Sequence, residues 1–242
     1  GPTMVRAAAK NFAHVGILVD PADYAAVLDE LRVNGAKLSD VTRRRLARAA
    51  FAHTAAYDAA IVTWFDATDE AATPDDAALP PSLHLSLERA QVLRYGENPH
   101  QRGARYRLDG ASSWWDTAVQ HGGKELSYLN VYDTDAAWRL VHELGEQPAA
   151  AIIKHANPCG AAAAGDLTTA YKLAHLCDPV SAFGGIVAVN RTLDEAAAEK
   201  IAKIFTEVVI APDATDAAKA VFAKKKNLRL LLAGAVPDPA EP

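Results

Sequence analysis

AAAIIKHANPCGAA, residues 149–162, is the stretch around which the rest of the chain is organised. Its first five residues are small or aliphatic, Lys154 and His155 follow, and turn-forming residues begin at Asn157. A short apolar run bounded by turn residues is typical of a buried strand. The stretch therefore predicts a core strand whose end presents Lys154 and His155 to solvent.

Lys154 and His155 are the first candidates for chemistry. In open α/β sheets, ligands bind beyond the carboxyl ends of the strands. A lysine beside a histidine can supply a cation and a group that transfers protons near neutral pH. The structural alternative is that Lys154 extends to water and His155 caps a turn. The pair alone leaves both readings open, and the flanking sequence has to decide between them.

Outward from this strand, apolar runs alternate with helical patterns. Helices are predicted over residues 2–11, 22–34, 39–65, 133–144, 167–176, 194–206 and 213–224. Further strands are predicted over residues 15–19, 83–87, 186–189, 208–210 and 228–232. Strands that alternate with helices predict an α/β layered fold with a largely parallel sheet. Between the two halves, the acidic, proline-rich run from Asp66 to Ser82 has the composition of a linker.

Composition excludes several classes of protein. The 242 residues are 50% hydrophobic and 23% charged, with a formal net charge of −5, so we expect neither a nucleic-acid surface nor a membrane span. Cys159 and Cys177 are too few for a disulfide framework, which favours a reducing, cytoplasmic setting. The chain opens on Gly1-Pro2 without an initiator methionine, and we expect a fragment of a longer protein.

Common catalytic and metal motifs are missing from the sequence. Cys159 has no second cysteine at 162, and the chain has no His-x-Glu, so a zinc deaminase signature fails. Glycine-rich phosphate loops and a Gly-x-Ser-x-Gly elbow are also missing. Cys159 is interpreted as a small structural thiol, and no metal is predicted.

Several loops suit a polar, anionic small molecule. Arg94 offers a forked donor for phosphate, and Tyr95 offers a flat face with a hydroxyl. Gly184-Gly185 lets the backbone approach a ligand closely, and Glu207 can accept hydrogen bonds from a ligand. Each has a structural alternative: Arg94 pairs with a nearby carboxylate such as Glu88, Tyr95 packs at a rim, the glycines make a tight turn, and Glu207 is an exposed acid.

Five motifs in order carry a resemblance to a known family. They are LRYGENPHQ at 93–101, GKELSYLNVYDTDAAW at 123–138, IIKHANPCGAA at 152–162, DPVSAFGGIVAVNR at 178–191 and EVVIAP at 207–212. Together they resemble the bacterial bifunctional purine biosynthesis family, which joins AICAR transformylase to IMP cyclohydrolase. The resemblance implies formyl transfer from 10-formyltetrahydrofolate, as co-substrate, to AICAR, followed by closure of formyl-AICAR to IMP.

The same resemblance implies roles for individual residues. His155 matches the family's proton acceptor, Lys154 the adjacent lysine, and Lys10 a lysine that assists ring closure. The positions that match contacts to the AICAR nucleotide are Arg94, Tyr95, His155, Gly184 and Glu207. Glu207 stands where some relatives have aspartate.

The resemblance also implies a domain plan. Residues 1–66 correspond to the end of a methylglyoxal-synthase-like cyclohydrolase domain, 67–82 to a linker, and 83–242 to the first part of a cytidine-deaminase-like transformylase domain without zinc. The family is a homodimer. Because both domains would be incomplete, we expect this chain alone to catalyse neither reaction. Two alternatives stay open: a non-catalytic nucleotide-binding or interaction module, and a metal-dependent amine hydrolase.

Overall fold

The computed structural model describes residues 1–68, 79 and 82–234 of the chain. They form two compact units, one within Gly1–Ser86 and the other within Leu87–Pro242. None of the helices in the described residues has both the length and the apolar character that crossing a membrane would need.

The first unit is helical in its described residues. It contains α1 (Pro2–Lys10), a short 3₁₀ turn (Pro21–Asp23), α2 (Tyr24–Val33) and α3 (Asp40–Thr68). Ala9, Ala47 and Ala50 form its small buried core, which lets α1 and α3 approach closely. The predicted strand at 15–19 is wrong: these residues are extended but join no sheet, and Ile17 and Val19 pack against the alanine core instead.

The sequence predicts a linker at 67–82 and a strand at 83–87 in the region between the two units. The predicted linker, 67–82, falls almost wholly on residues that the structure does not describe. The strand predicted at 83–87 is wrong, because residues 82–86 carry no strand and Leu83 and Leu85 are 75% and 66% exposed. Strand β1 begins only at Leu87 (Leu87–Val92) and forms an antiparallel ribbon with β2 (Ala104–Leu108).

A six-stranded sheet organises the second unit. Its strands are β3 (Val119–His121), β4 (Ala149–Lys154), β5 (Asn157–Ala163), β6 (Ile186–Val189), β7 (Val208–Ala211) and β8 (Arg229–Leu232), in the spatial order β3-β8-β7-β6-β4-β5. The helices are α4 (Trp114–Thr117), α5 (Tyr128–Glu143), α6 (Leu167–Cys177), α7 (Glu195–Ile201) and α8 (Asp216–Ala223). The predicted alternation of strands and helices after residue 149 is confirmed, with one strand, β5, missed.

The direction of the strands corrects the expectation of a largely parallel sheet. Only β6, β7 and β8 run parallel, whereas β4 is antiparallel to both β5 and β6, and β3 is antiparallel to β8. The mixed direction follows from the tight hairpin between β4 and β5, which leaves no room for the crossover that parallel neighbours need. Because Ile153 pairs with Ile186 and Ile186 with Val208, the end of β4 lies beside the beginnings of β6 and β7.

Two apolar layers cover the faces of the sheet. Trp138 and Val141 of α5 pack on one face with Ile153 and Ile186. The other face carries α6, α7 and α8, packed on residues such as Ile152 and Val187. A Cβ added to Gly160 of β5 would lie 2.0 Å from the carbonyl oxygen of Ala174, so α6 rests directly on the strand backbone. Both faces of the sheet are therefore covered by buried apolar side chains, up to the strand ends that carry the candidate residues.

Candidate functional site

A two-residue turn between β4 and β5 carries His155. Lys154 pairs with Asn157, and the two residues between them, His155 and Ala156, have φ angles of +54° and +57°. Two-residue hairpins favour positive φ at both central positions because that twist matches the twist of the strands. For residues with a Cβ the left-handed region costs about 1–2 kcal/mol each. The turn is therefore strained, and something has to hold it.

The turn expected from the sequence at Asn157 lies elsewhere. Asn157 and Pro158 belong to β5, which is an edge strand. A proline is tolerated at a sheet edge because its missing N–H leaves no partner unpaired there. The tight reversal occurs at His155 and Ala156, which carry no glycine or proline signal. Turn chemistry in the sequence therefore indicated a break two residues too late.

Asp133 of α5 clamps this turn. Its Oδ1 accepts a hydrogen bond from Ala156 N at 2.8 Å, and its Oδ2 accepts one from His155 N at 3.2 Å. Asn157 Nδ2 adds a bond to His155 O at 2.8 Å. One carboxylate thus satisfies both amide groups of the strained turn, and the His155 side chain is left exposed beside it.

Lys154 reaches the loop before β6. Its side chain is half-buried, and its Nζ donates to the carbonyl oxygen of Phe183 at 3.1 Å. Gly184 follows with φ of +77°, and its N–H donates to Phe205 O at 2.8 Å. A Cβ added to Gly185 would lie 2.8 Å from Ile153 O. The glycine pair therefore provides both a left-handed residue and the close approach of this loop to β4.

Glu207 lies at the beginning of β7, and a buried polar network holds it. Its N–H donates to Gly185 O at 3.1 Å, and its Oε2 accepts from Asn130 Nδ2 at 2.7 Å. Arg229 Nη1 lies 3.8 Å from the same oxygen. Arg229 is only 4% exposed and also donates to Lys124 O at 2.8 Å. The carboxylate is thus oriented by one amide and one guanidinium.

Burial lowers the pKa of the Arg229 guanidinium, while the charge of Glu207 opposes that effect and the charge of Arg94 adds to it. Arg94 therefore lies close enough to Arg229 for their charges to repel each other, and Glu207 offsets this repulsion at Arg229.

Arg94 and Tyr95 lie in the loop after β1. Arg94 Nη2 donates to Tyr95 Oη at 2.7 Å, and its guanidinium carbon lies 4.5 Å from the centre of the Tyr95 ring. The alternative of an Arg94–Glu88 pair is not what the described residues show, because Glu88 pairs with Arg107 at 3.4 Å. Arg94 is exposed, and one of its donors is used by the neighbouring Tyr95 hydroxyl.

The first two turns of α5 connect all of these segments. Tyr128 N donates to Tyr95 O at 3.1 Å, Asn130 bonds Glu207, and Asp133 bonds the turn that carries His155. The sequence pattern predicts this helix only from residue 133, which leaves Asn130 outside it, and it assigns no role to Asn130 or Asp133. The signal that was available is Ser127, which caps the helix and forms a reciprocal box with Asn130.

Other candidate residues stand apart from this cluster. Lys10 is exposed at the end of α1 in the first unit, and its role stays a prediction. Burial raises the pKa of the Cys159 thiol, and Asp178 raises it further, against a smaller opposite effect of Lys154. A thiol that keeps its proton is a poor nucleophile, which agrees with the structural reading of Cys159. Among residues 1–68 and 82–234, no three histidine, cysteine, aspartate or glutamate side chains lie close enough together to hold a metal ion.

Comparison with known proteins gives one consistent family. Residues 8–241 match the model of the family described as the AICARFT/IMPCHase bienzyme. Among curated relatives, the proteins named bifunctional purine biosynthesis protein PurH from Brucella ovis, Brucella canis and Brucella melitensis are each 54% identical over 241 residues. The alignment covers 99% of this chain and 44% of each relative, so the chain spans less than half of their length.

Proposed function

The chain belongs to the AICARFT/IMPCHase bienzyme family, and on that premise we propose that its second unit carries part of an AICAR transformylase site. The proposed reaction transfers a formyl group from 10-formyltetrahydrofolate to the 5-amino group of AICAR, in purine biosynthesis. Lys154-His155, Gly184 and Glu207 lie together at one end of strands β4, β6 and β7, and α5 connects them to Arg94 and Tyr95. This clustering is the observation that carries the proposal.

The chemistry of the amine explains why a base is needed. The 5-amino group is a poor nucleophile, because its lone pair delocalises into the imidazole and the carboxamide. As the nitrogen attacks the formyl carbon, a new C–N bond forms and the amine loses a proton, which His155 accepts. The bond from the formyl carbon to N10 of the folate then breaks, and N10 leaves with the proton that His155 had accepted and now returns. General base catalysis of this kind contributes roughly 10²- to 10⁴-fold to a rate.

The other residues supply charge and position. Lys154, held at the turn by Phe183 O, offers a cation to the oxygen that gains negative charge in the transition state. The exposed guanidinium of Arg94 suits the phosphate of the nucleotide. Glu207 is oriented to accept hydrogen bonds from ligand hydroxyl groups, and Gly184 allows the ligand to approach the backbone.

The finer assignments are part of the same proposal. Residues 1–66 supply the end of a methylglyoxal-synthase-like cyclohydrolase domain, in which Lys10 moves a proton as formyl-AICAR closes to IMP with loss of water. Residues 67–82 are a linker, and 83–242 begin a cytidine-deaminase-like transformylase domain without zinc. We further propose a homodimeric, cytoplasmic enzyme, in keeping with two unpaired cysteines.

The test uses His155→Gln in a chain of the relatives' full length that carries these residues. We expect the rate of formyl transfer to fall roughly 10²-fold or more, with the KM for AICAR changed only a few-fold. His121→Gln is the matched control, because His121 is exposed on β3 and takes no part in the proposed site. Lys154→Met is expected to lower kcat as well.

Two results would overturn the proposal. If His155→Gln transfers the formyl group as fast as the unaltered protein does, His155 is not the base; if the unaltered protein binds AICAR but transfers no formyl group, the unit is a nucleotide-binding or interaction module and not a catalytic one. If formyl transfer depends on a bound zinc ion that co-purifies with the protein, the site is a metal-dependent one of the amine-hydrolase class. Metal analysis of the purified protein separates these two results.

A further inference from the structure

We propose that Asp133 is a positioning residue for His155: its carboxylate holds the left-handed His155–Ala156 turn and thereby aims the imidazole at the amine of the substrate. The inference rests on the proposed function, because it concerns the group that accepts the proton. Asp133 is assigned no contact with substrate, and it acts through the backbone of the turn.

The turn has little else to hold it. His155 is exposed, so core packing does not fix its side chain, and both central residues have φ values that L-residues disfavour. Two amide groups point to the same side of the turn, and each finds one oxygen of Asp133, at 3.2 and 2.8 Å. The backbone of the turn sets the direction of the Cα–Cβ bond of His155, from which the imidazole extends, so losing these bonds would let the imidazole move away.

Asp133 is itself firmly placed. It lies in the second turn of α5, a helix whose Trp138 and Val141 are fully buried against the sheet. Through Asp133, the position of an exposed histidine is therefore fixed relative to the rigid core of the unit. Placing a catalytic group on a rigid element in this way is what keeps its geometry productive.

The chemistry of the clamp requires a carboxylate. An ionised carboxylate has acceptors only, so each of its two oxygens can receive one N–H. An asparagine of the same shape has one acceptor and one NH₂ donor, and the donor would face an amide donor of the turn. Asp133→Asn therefore removes one bond and adds a repulsion with almost no change of volume.

The experiment compares three variants in a chain of the relatives' full length. Asp133→Asn is the test, and Asp133→Asn/Ala156→Gly is the rescue, because glycine adopts positive φ without steric cost. Asp135→Asn is the control: Asp135 lies on the same helix but bonds the indole nitrogens of Trp114 and Trp115. The readouts are kcat, the KM for AICAR, the thermal midpoint, and hydrogen exchange at the Ala156 amide.

We expect Asp133→Asn to lower kcat roughly 10- to 100-fold, since a small misplacement of a catalytic group has effects of this size, with the KM for AICAR nearly unchanged. Exchange at the Ala156 amide should speed up in the same variant. The double variant should recover most of the lost kcat. Asp135→Asn should lower the thermal midpoint and leave kcat as it was.

The inference is wrong if Asp133→Asn keeps full kcat while the unaltered protein transfers formyl groups, or if the glycine rescue restores nothing. Equal losses of kcat in Asp133→Asn and Asp135→Asn would show a merely structural role. Failure of the proposed function looks different, because the unaltered protein would then show no formyl transfer. Faster exchange at Ala156 without any formyl transfer would confirm the clamp and refute the reaction.

Discussion

Asn130 Nδ2 donates a hydrogen bond to Glu207 Oε2 at 2.7 Å, which joins the first turn of α5 to the beginning of β7 across 77 positions of sequence. The same Asn130 accepts from Ser127 N at 3.2 Å and is 5% exposed. One buried amide therefore both starts the helix and fixes the carboxylate that we assign to ligand binding. Replacing Asn130 should therefore lower both the free energy of unfolding and the affinity for the ligand.

Asn130→Ala should lower the free energy of unfolding by about 1–3 kcal/mol, because buried partners are left unpaired, and should weaken binding of AICAR. Urea unfolding and calorimetric titration measure the two effects. Asn34→Ala is the control, since Asn34 makes an exposed bond to Lys37 O at 3.1 Å; there we expect a change within about 0.5 kcal/mol. Equal effects of the two substitutions would contradict the prediction.

Gly185→Ala should destabilise the loop between α6 and β6, which lies against the end of β4. The new Cβ would lie 2.8 Å from Ile153 O and 3.3 Å from Ala182 O, and both are backbone atoms. The strands must shift, and we expect a loss of about 1–3 kcal/mol, as for overpacking elsewhere. Gly165→Ala is the comparison, because a Cβ there meets nothing within 4 Å and Gly165 does not have a left-handed φ. If Gly165→Ala costs as much in urea unfolding, close approach is not the reason for Gly185.

The ionised Asp116 carboxylate is expected to stabilise the fold at neutral pH and to lose this effect in acid. A hydrogen bond from Ser113 N, together with Arg105 and Arg107, holds the pKa of the Asp116 carboxyl below its usual range despite burial. A lowered pKa means that the folded state binds this proton less tightly than the unfolded chain does. The contribution is therefore present above pH ~4, near the unfolded pKa, and is lost as the pH falls through the lower folded value.

The check is urea unfolding of Asp116→Asn between pH 3 and 7. The free-energy difference from the unaltered protein should be largest near pH 7 and should shrink below pH 4. Asp109→Asn, at an exposed aspartate in the turn after β2, should show no such trend. A difference for Asp116→Asn that stays constant with pH would show that its charge contributes nothing.

Cys159 should react slowly with alkylating reagents. Burial and Asp178 raise the pKa of its thiol, and the thiolate is the reactive form, so its alkylation at pH 8 should be slower than that of a free thiol and should rise with further increase of pH. Iodoacetamide labelling of Cys177→Ser, followed by mass spectrometry, isolates Cys159. The exposed Cys177, measured in Cys159→Ser, gives the reference rate. Faster labelling of Cys159 than of Cys177 would instead indicate an activated thiol.

What the sequence could predict is clearest at the strands. The strand at 186–189 was predicted with the right bounds, and the strand that begins at 149 was predicted with its end placed too late, because both are short apolar runs between turn residues. Residues 157–163 form a strand that could not be predicted, because small residues with Pro158 and Gly160 suggest a loop. Their strand conformation comes from pairing with β4 and from the close contact of α6, which are properties of the fold and not of the segment.

The candidate site was predicted residue by residue but not in its geometry. In a parallel sheet, Lys154 at the end of one strand and Glu207 at the start of another would lie at opposite ends of the sheet, measured along the strands. Antiparallel pairing of β4 with β6 brings them to the same end, and nothing local to either residue encodes that direction. Asp133 was invisible for a similar reason, since its partners are 22 and 23 positions away in the chain.

The two-residue hairpin also limits how the length of this segment can change in sequence. A residue added between Lys154 and Asn157 either loops out, which abolishes the turn that Asp133 holds, or shifts β5 by one position against β4. In the second case a side chain replaces Gly160 where only 2.0 Å separates an added Cβ from α6. The length of the segment from Lys154 to Gly160 is therefore tied to two separate contacts, one with Asp133 and one with α6. Substitutions can vary its chemistry, whereas an insertion or deletion would disturb one contact or the other.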